Sequence, residues 1–135
     1  DTLLNIEIKR SLSRPGFAAD IIRLLERYGV EDRYLLGSFD LDALLGVQRI
    51  APQMTLARIG EGPDILDEAV QYGFPWIHGY YRHVDESLIR RAHEAGINVN
   101  VWTVDDPASV MHWRTVGTDK ICTNRPADLL AAAAG

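Results

Sequence analysis

The sequence predicts an α/β fold made of about six βα units of a (β/α)₈ barrel. Three observations support this: strand-like and helix-like segments alternate along the chain, no glycine-rich turn follows the first strand, and polar side chains recur on one face of several strands. With 135 residues, 47% of them hydrophobic and 24% charged, the chain has the size and composition of one globular domain spanning 1–135.

The predicted strands are short segments that are either apolar or alternate between apolar and polar residues. The first one, Leu3–Lys9, alternates most clearly. The six predicted strands are Leu3–Lys9, Tyr34–Phe39, Met54–Ile59, Trp76–Tyr81, Val99–Val104 and Lys120–Thr123.

Between and after these strands, segments with helical periodicity begin at a capping aspartate or a proline, and several end at a glycine. Asp40, Asp85 and Asp106 are the predicted caps. The six predicted helices run from near Pro15 to Tyr28, from Asp40 to about Ile50, from Ile65 to Tyr72, from Glu86 to Ala95, from Pro107 to Gly117 and from Pro126 to Ala134.

Alternation of strands and helices is compatible with an open doubly wound sheet as well as with a barrel. A dinucleotide-binding sheet should show a glycine-rich turn after its first strand, but Lys9 is followed by Arg10 and Ser11. Strand alternation puts Asn5, Glu7 and Lys9 on one face, and a second strand has the same pattern at Asn100 and Trp102. Polar residues near strand ends favour a barrel interior, and Ser38 is a further candidate for it.

Composition excludes several classes of protein. The net charge is −5 with no basic cluster, so a nucleic-acid partner is not expected. Cys122 is the single cysteine, so neither a disulfide nor a cysteine-based zinc site can form within the chain. Cys122 is expected to be a buried small residue. No apolar run reaches the ~18 residues of a membrane span, and a cytoplasmic location is slightly favoured.

Several motifs occur in an order that resembles the C-terminal part of the glycerophosphodiester phosphodiesterase family. They are Asn5-Ile6-Glu7-Ile8-Lys9, Gly37-Ser38-Phe39-Asp40, Ala92-His93-Glu94-Ala95-Gly96, Val99-Asn100-Val101-Trp102-Thr103-Val104-Asp105-Asp106-Pro107 and Gly117-Thr118-Asp119-Lys120-Ile121-Cys122-Thr123-Asn124-Arg125-Pro126. The resemblance covers nearly the whole chain and implies a (β/α)₈ barrel in which this chain holds strands three to eight.

The resemblance also implies roles for three residues. Glu7 would bind a divalent cation, Ca²⁺ or Mg²⁺, and Lys9 would lie beside the substrate phosphate. Trp102 would wall the alcohol side of the substrate, and all three side chains would face one central cavity. Without the resemblance, Glu7 is simply a charged residue on an exposed strand, Lys9 its ion-pair partner, and Trp102 part of a core.

The family's N-terminal part carries a His-Arg-Gly motif and a Glu-x-Asp motif, and neither occurs in this sequence. The resemblance therefore implies that two βα units, both catalytic histidines and two of three metal ligands are missing. The chain also begins with Asp1 rather than Met, as expected for a truncated or processed protein. The chain alone should then bind metal weakly and catalyse nothing.

Two positions depart from the family pattern. Asp105 stands where the family usually has Asn, and Asn124 where it usually has Asp. His78 and His83 could replace a catalytic acid or base, although a structural role is favoured for both.

Two functions remain open at this point. In an intact barrel, the resemblance implies hydrolysis of glycerophosphodiesters, small-molecule substrates, to glycerol 3-phosphate and an alcohol. The alternative is a non-catalytic partial barrel whose open strand edges bind a second copy or a complementing fragment, as a homo-oligomer or a mixed assembly.

Overall fold

A computed structural model describes residues 3–9, 16–30 and 33–134 of the chain. In these ranges six strands alternate with six α-helices, as the sequence predicts. The chain divides into two compact units, Asp1–Ile59 and Gly60–Gly135.

The first unit contains three parallel strands in chain order. Its elements are β1 (Leu4–Ile8), α1 (Phe17–Tyr28), β2 (Tyr34–Ser38), α2 (Leu41–Ile50) and β3 (Leu56–Gly60), whose last residue belongs to the second unit. The predicted start of α1 near Pro15 lies outside the described residues.

The second unit contains three more strands, again parallel and in chain order. Its elements are α3 (Asp64–Tyr72), β4 (Trp76–Tyr80), α4 (Glu86–Glu94), β5 (Asn98–Trp102), a 3₁₀ turn (Pro107–Ser109), α5 (Val110–Thr115), β6 (Lys120–Ile121) and α6 (Pro126–Ala134).

One face of β4 and β5 forms the core of the second unit. Ile77, Val99 and Val101 on this face are fully buried, and helices α3 and α4 contact these strands. The backbone packs closely at Gly79, where an added Cβ would lie 2.4 Å from a methyl group of Val84. A larger residue there would force the β4–α4 connection outward. The other face of the same strands carries their polar side chains.

Two of the three predicted caps, Asp40 and Asp85, begin α-helices with the expected bonds. The Asp40 carboxylate accepts from the backbone N–H groups of Asp42 and Ala43 at the start of α2. The Asp85 carboxylate accepts from the backbone N–H of Leu88 at 2.8 Å, at the start of α4. These bonds satisfy backbone donors that have no partner inside a helix, so both helices begin where the sequence predicts.

The structure differs from the sequence-based prediction at the C-terminal elements. The helix predicted from Pro107 begins as a 3₁₀ turn, because Asp106 caps Ala108 and its carbonyl accepts from the backbone N–H of Ser109. Strand β6 is only two residues long, so Cys122 lies beyond it. The prediction that Cys122 is buried is wrong, since its side chain is exposed.

Across the described ranges, no helix combines the length and the apolar character that a membrane crossing requires.

Replacing Asp85 with Ala should lower the free energy of unfolding by about 1 kcal/mol, because the Leu88 N–H loses its acceptor. Urea denaturation of the 135-residue chain measures the change. Asp85→Ser is the matched control, since serine keeps a capping oxygen and should recover most of the loss. Equal destabilisation by both variants would contradict the capping role.

Candidate active site

Glu7 and Lys9 form an ion pair at the carboxyl end of β1. The Lys9 Nζ donates to Glu7 Oε1 at 2.6 Å. Residues two apart on a strand project from the same face, so the pairing follows from the alternation of β1. The Lys9 side chain is 67% exposed and that of Glu7 is 35% exposed. Both charged groups are thus accessible to a ligand.

The register of β1 against β2 places Gly37 directly beside Glu7. In a parallel pair, residues in register project from the same face, so no side chain of β2 occupies the place next to the carboxylate. An added Cβ on Gly37 would approach a methyl group of Ile59 on β3 to 2.9 Å. A glycine here therefore leaves room for the buried Ile59 side chain, which fills the space over Gly37.

The same register corrects the prediction for Ser38. Ser38 lies beside Ile8, on the opposite face of β1 and β2 from Glu7. Its hydroxyl donates to the Ile8 carbonyl at 2.8 Å and accepts from the Asp40 N–H at 2.9 Å. Ser38 is fully buried. Its two bonds join β2 to β1 and to the start of α2, which is a structural role.

Arg58, which the sequence reasoning did not single out, is in register with Ser38 and so lies on the face opposite Glu7. Its guanidinium donates to the carbonyls of Ser38, Phe39 and Ile59, which end β2 and β3. With Phe39 and Asp40 it lines a cleft of about 510 Å³. The only signal in the sequence was a single arginine in an otherwise apolar strand.

In the second unit, Trp102 ends β5 on the face opposite the buried core. Its indole N–H donates to the His78 carbonyl at 2.9 Å, and its backbone carbonyl accepts from the Tyr81 N–H at 3.0 Å. Tyr80, its register neighbour on β4, packs against the indole with ring centroids 5.2 Å apart. Both rings are half-buried, so Trp102 is held in place while part of its surface stays accessible.

Beside Trp102 on the same face lies a polar row of His78, Asn100 and Lys120, in register across β4, β5 and β6. His78 is 2% exposed, and its Nε2 has no hydrogen-bond partner among the described residues. The Lys120 Nζ lies 4.5 Å from the centre of the Trp76 ring, a cation–π contact. Burial also lowers the pKa of Lys120.

The environment of His78 keeps it neutral. Burial, with a smaller effect from the positive charge of Lys120, lowers the pKa of His78 to about 4. Its position in the middle of β4 and its neutrality favour a structural role over acid–base chemistry.

His83 and His93 have local partners. Nδ1 of the exposed His83 contacts the Glu61 carbonyl, and because a carbonyl only accepts, Nδ1 carries the proton. The ring of His83 also meets the edge of Tyr80. His93 Nε2 lies 2.9 Å from Asp119 Oδ2, which also accepts from the Val99 N–H at 2.7 Å. That contact ties α4 to β5.

The structure brings the two departures from the family pattern into direct contact. Asp105 Oδ2 accepts from the Asn124 side-chain amide at 2.9 Å, and Oδ1 accepts from the Asn124 backbone N–H at 2.7 Å. These bonds lower the pKa of the Asp105 carboxyl. Relative to the pattern that the resemblance implies, the carboxylate and the amide are exchanged between the two positions, and they bond to each other.

Of the three residues with predicted roles, Glu7 and Lys9 belong to the first unit and Trp102 to the second. The structure places the first two together on one strand face. Their convergence with Trp102 in one cavity stays a prediction.

The described residues do not by themselves provide a cation site. Among them, no cluster of three or more His, Cys, Asp or Glu residues has the arrangement of a metal site. Calcium and magnesium bind through about six or more oxygen ligands, and Glu7 is one carboxylate already paired with an ammonium.

Comparison with known proteins gives a consistent result. A family profile described as "Glycerophosphoryl diester phosphodiesterase family" matches residues 3–128. A glycerophosphodiester phosphodiesterase of Caldanaerobacter subterraneus is 26% identical over 96% of this chain and 55% of its own length. One from Bacillus altitudinis is 26% identical over 92% of this chain and 53% of its own length. The chain thus spans about half the length of the curated relatives it matches.

Solved structures show the same similarity. A putative glycerophosphodiester phosphodiesterase of Galdieria sulphuraria matches 98% of this chain and 57% of its own, with a TM-score of 0.89 and 23% identity. A phosphodiesterase of Oleispira antarctica, solved with the product sn-glycerol-3-phosphate, matches 98% of this chain and 56% of its own, with a TM-score of 0.88 and 18% identity. These likenesses establish the fold, and the predicted partial barrel is confirmed.

His78 should make the stability of the chain depend on pH. Its pKa is about 4 in the folded protein and ordinarily about 6.5, so the unfolded chain binds a proton first as the pH falls. The free energy of unfolding is therefore not reduced by protonation of this group above pH ~6.5, and it falls by roughly 3 kcal/mol between pH ~6.5 and pH ~4. Urea denaturation across this range, with His78→Asn, measures the effect.

The variant should lose this part of the pH dependence, even if it is less stable at neutral pH. His112→Gln is the matched control, because His112 is exposed on α5 and its replacement should leave the profile unchanged. A profile that His78→Asn leaves intact would contradict the buried neutral state.

Proposed function

Because the chain belongs to the glycerophosphoryl diester phosphodiesterase family, we propose that it supplies the third to eighth strands of a barrel that hydrolyses glycerophosphodiesters. The products are glycerol 3-phosphate and an alcohol. The observation that carries this proposal is the exposed pair of Glu7 and Lys9 at the carboxyl end of β1. Active sites of (β/α)₈ barrels lie at the carboxyl ends of the strands.

Lys9 is the proposed phosphate-binding residue. Its ammonium is exposed and is held near the strand face by Glu7. A positive charge at this position binds the phosphodiester and stabilises the additional negative charge that develops as the phosphorus is attacked. Exposure of the Lys9 side chain lets the ammonium turn from Glu7 to an incoming phosphate.

Glu7 is proposed to contribute one oxygen ligand to a divalent cation in the complete barrel. The described residues alone do not fit such an ion, so no step of the reaction is assigned to it in this chain. The exposure of the Glu7 side chain, 35%, supports the proposal, since it leaves the carboxylate accessible.

Trp102 is proposed to form the wall against which the alcohol of the substrate lies. The bond to the His78 carbonyl sets the plane of the indole, and Tyr80 supports it from the neighbouring strand. A fixed, half-buried aromatic ring gives an apolar surface at little cost in side-chain entropy.

The 135-residue chain alone should not turn over substrate, because the family's His-Arg-Gly and Glu-x-Asp motifs do not occur in it. Each acid–base group normally contributes about 10²- to 10⁴-fold to the rate. Incubation with glycerophosphocholine and Ca²⁺ or Mg²⁺, with release of glycerol 3-phosphate as the readout, tests this expectation. Activity that Glu7→Gln abolishes would show that the chain carries a complete site.

Adding a fragment with the first two βα units of a relative should restore turnover. With that fragment present, Glu7→Gln and Lys9→Gln should each lower the rate by roughly 10²-fold or more. Glu26→Gln, an exposed position on α1, is the matched control and should keep full activity. Light scattering of the chain tests the alternative function. A defined oligomer, together with no activity after addition of any such fragment, would favour a non-catalytic assembly module.

A further inference from the structure

Beyond the ladder of β5 and β6, the two chain segments that leave these strands remain bound to each other. The Val104 N–H donates to the Cys122 carbonyl at 2.9 Å. Asp105 then accepts from the Thr123 hydroxyl at 2.9 Å, the Asn124 backbone N–H at 2.7 Å and the Asn124 side-chain amide at 2.9 Å. We name Asp105, Thr123 and Asn124 the carboxylate clamp.

The carboxylate clamp is itself supported. The Thr123 hydroxyl accepts from the Arg125 N–H at 3.0 Å, and the Arg125 guanidinium reaches the Asp105 carbonyl at 3.5 Å. One carboxylate therefore uses both oxygens to hold a turn of the neighbouring connection, an arrangement that charge-assisted bonds strengthen. The lowered pKa of Asp105 agrees with an ionised, fully bonded group.

Trp102 lies three residues before Asp105, at the end of β5. On one side its indole and backbone are bonded to β4, through the His78 carbonyl and the Tyr81 N–H. On the other side, the segment that follows it is bonded to the segment after β6 through the Val104 N–H, the carboxylate clamp and the Arg125 guanidinium. The orientation of the indole thus depends on bonds from both neighbouring strands.

We propose that Asp105 is a positioning residue for Trp102, acting by clamping the segment after β5 to the connection after β6. This inference rests on the proposed function only in treating Trp102 as the wall of the alcohol site. Release of the clamp lets residues 103–106 move away from β6, and the indole then loses its fixed bond to the His78 carbonyl.

The chemistry of the clamp is reciprocal. In Asp105→Asn together with Asn124→Asp, the amide and the carboxylate change places, and the side-chain oxygen at position 105 still accepts from Thr123 and from the backbone at 124. Asn124→Asp alone puts two carboxylates at a hydrogen-bonding separation, where they repel each other. Comparing the single variant with the double variant therefore distinguishes the effect of the bond between positions 105 and 124 from the effect of changing either residue.

Hydrogen exchange of the Trp102 indole N–H, followed by NMR in the 135-residue chain, tests the proposal. Trp102→Phe assigns the resonance. Asn124→Asp should speed exchange by about tenfold or more, because the local opening becomes easier. The double variant, Asp105→Asn with Asn124→Asp, should restore the hydrogen-exchange rate of the indole to within about threefold of the original.

Two comparisons decide the outcome. The Val99 N–H, bonded to Asp119 at 2.7 Å, reports on the core of the same unit and should keep its rate in Asn124→Asp. Glu94→Gln is the matched control, since Glu94 is an exposed carboxylate on α4 that belongs neither to the clamp nor to its support, and it should leave the indole rate unchanged. In Asn124→Asp, equal acceleration at Val99 or an unchanged indole rate would overturn the positioning role. A double variant that does not restore the indole rate would also overturn it. The readout involves no turnover, so it stands apart from the outcome of the activity tests.

Discussion

Register in the parallel ladders is the constraint on which the arrangement of functional side chains depends. A strand alone divides its residues between two faces, but only pairing decides which residues of neighbouring strands share a face. Between β1 and β2 the register sets Gly37 beside Glu7 and moves Ser38 to the other side. Between β4 and β5 it sets Tyr80 beside Trp102. A slip of one residue would exchange polar and apolar faces throughout each unit.

The second unit combines an apolar face with a polar one, and the two are held in different ways. Ile77, Val99 and Val101 are buried by packing alone. On the polar face, burial is compensated unevenly: the Trp102 indole has a carbonyl partner, whereas His78 Nε2 has none among the described residues. Burying a neutral imidazole without a partner costs less free energy than burying a charged one. His78 can therefore occupy this buried position, with its pKa lowered so that it stays neutral.

Much of the fold was predictable because its signals are local. Asp40 and Asp85 mark helix starts through bonds to the next turn, and these bonds form as predicted. The shortness of β6 was not predictable, since it depends on pairing with β5. Asp106 was predicted as a cap, but helical periodicity does not distinguish the 3₁₀ turn that follows it from the first turn of an α-helix. The predicted position of Ser38 was wrong because alternation within one strand only divides its residues between two faces. Which of these faces it shares with Glu7 depends on the register with β1, which is a tertiary property. The exposure of Cys122 depends on where β6 ends, which residue type alone does not indicate.

The candidate site was only partly accessible to such reasoning. Glu7 and Lys9 on an alternating strand look like an ordinary solvated pair, and only the resemblance of surrounding motifs gave them roles. The contact of Asp105 with Asn124 joins positions 19 residues apart, and nothing in spacing or composition connects them. Arg58 and Tyr80 were missed because their importance comes from what they touch.

The exposure of the Glu7–Lys9 pair has an electrostatic consequence. Ion pairs in contact with water contribute roughly 0–1 kcal/mol, and mobile ions screen charges beyond about 8 Å at physiological ionic strength. Such a pair keeps the ammonium oriented without holding it tightly. In the proposed role of Lys9, an anion that displaces the carboxylate would therefore give up little ion-pair energy, and the pair would re-form when the anion leaves.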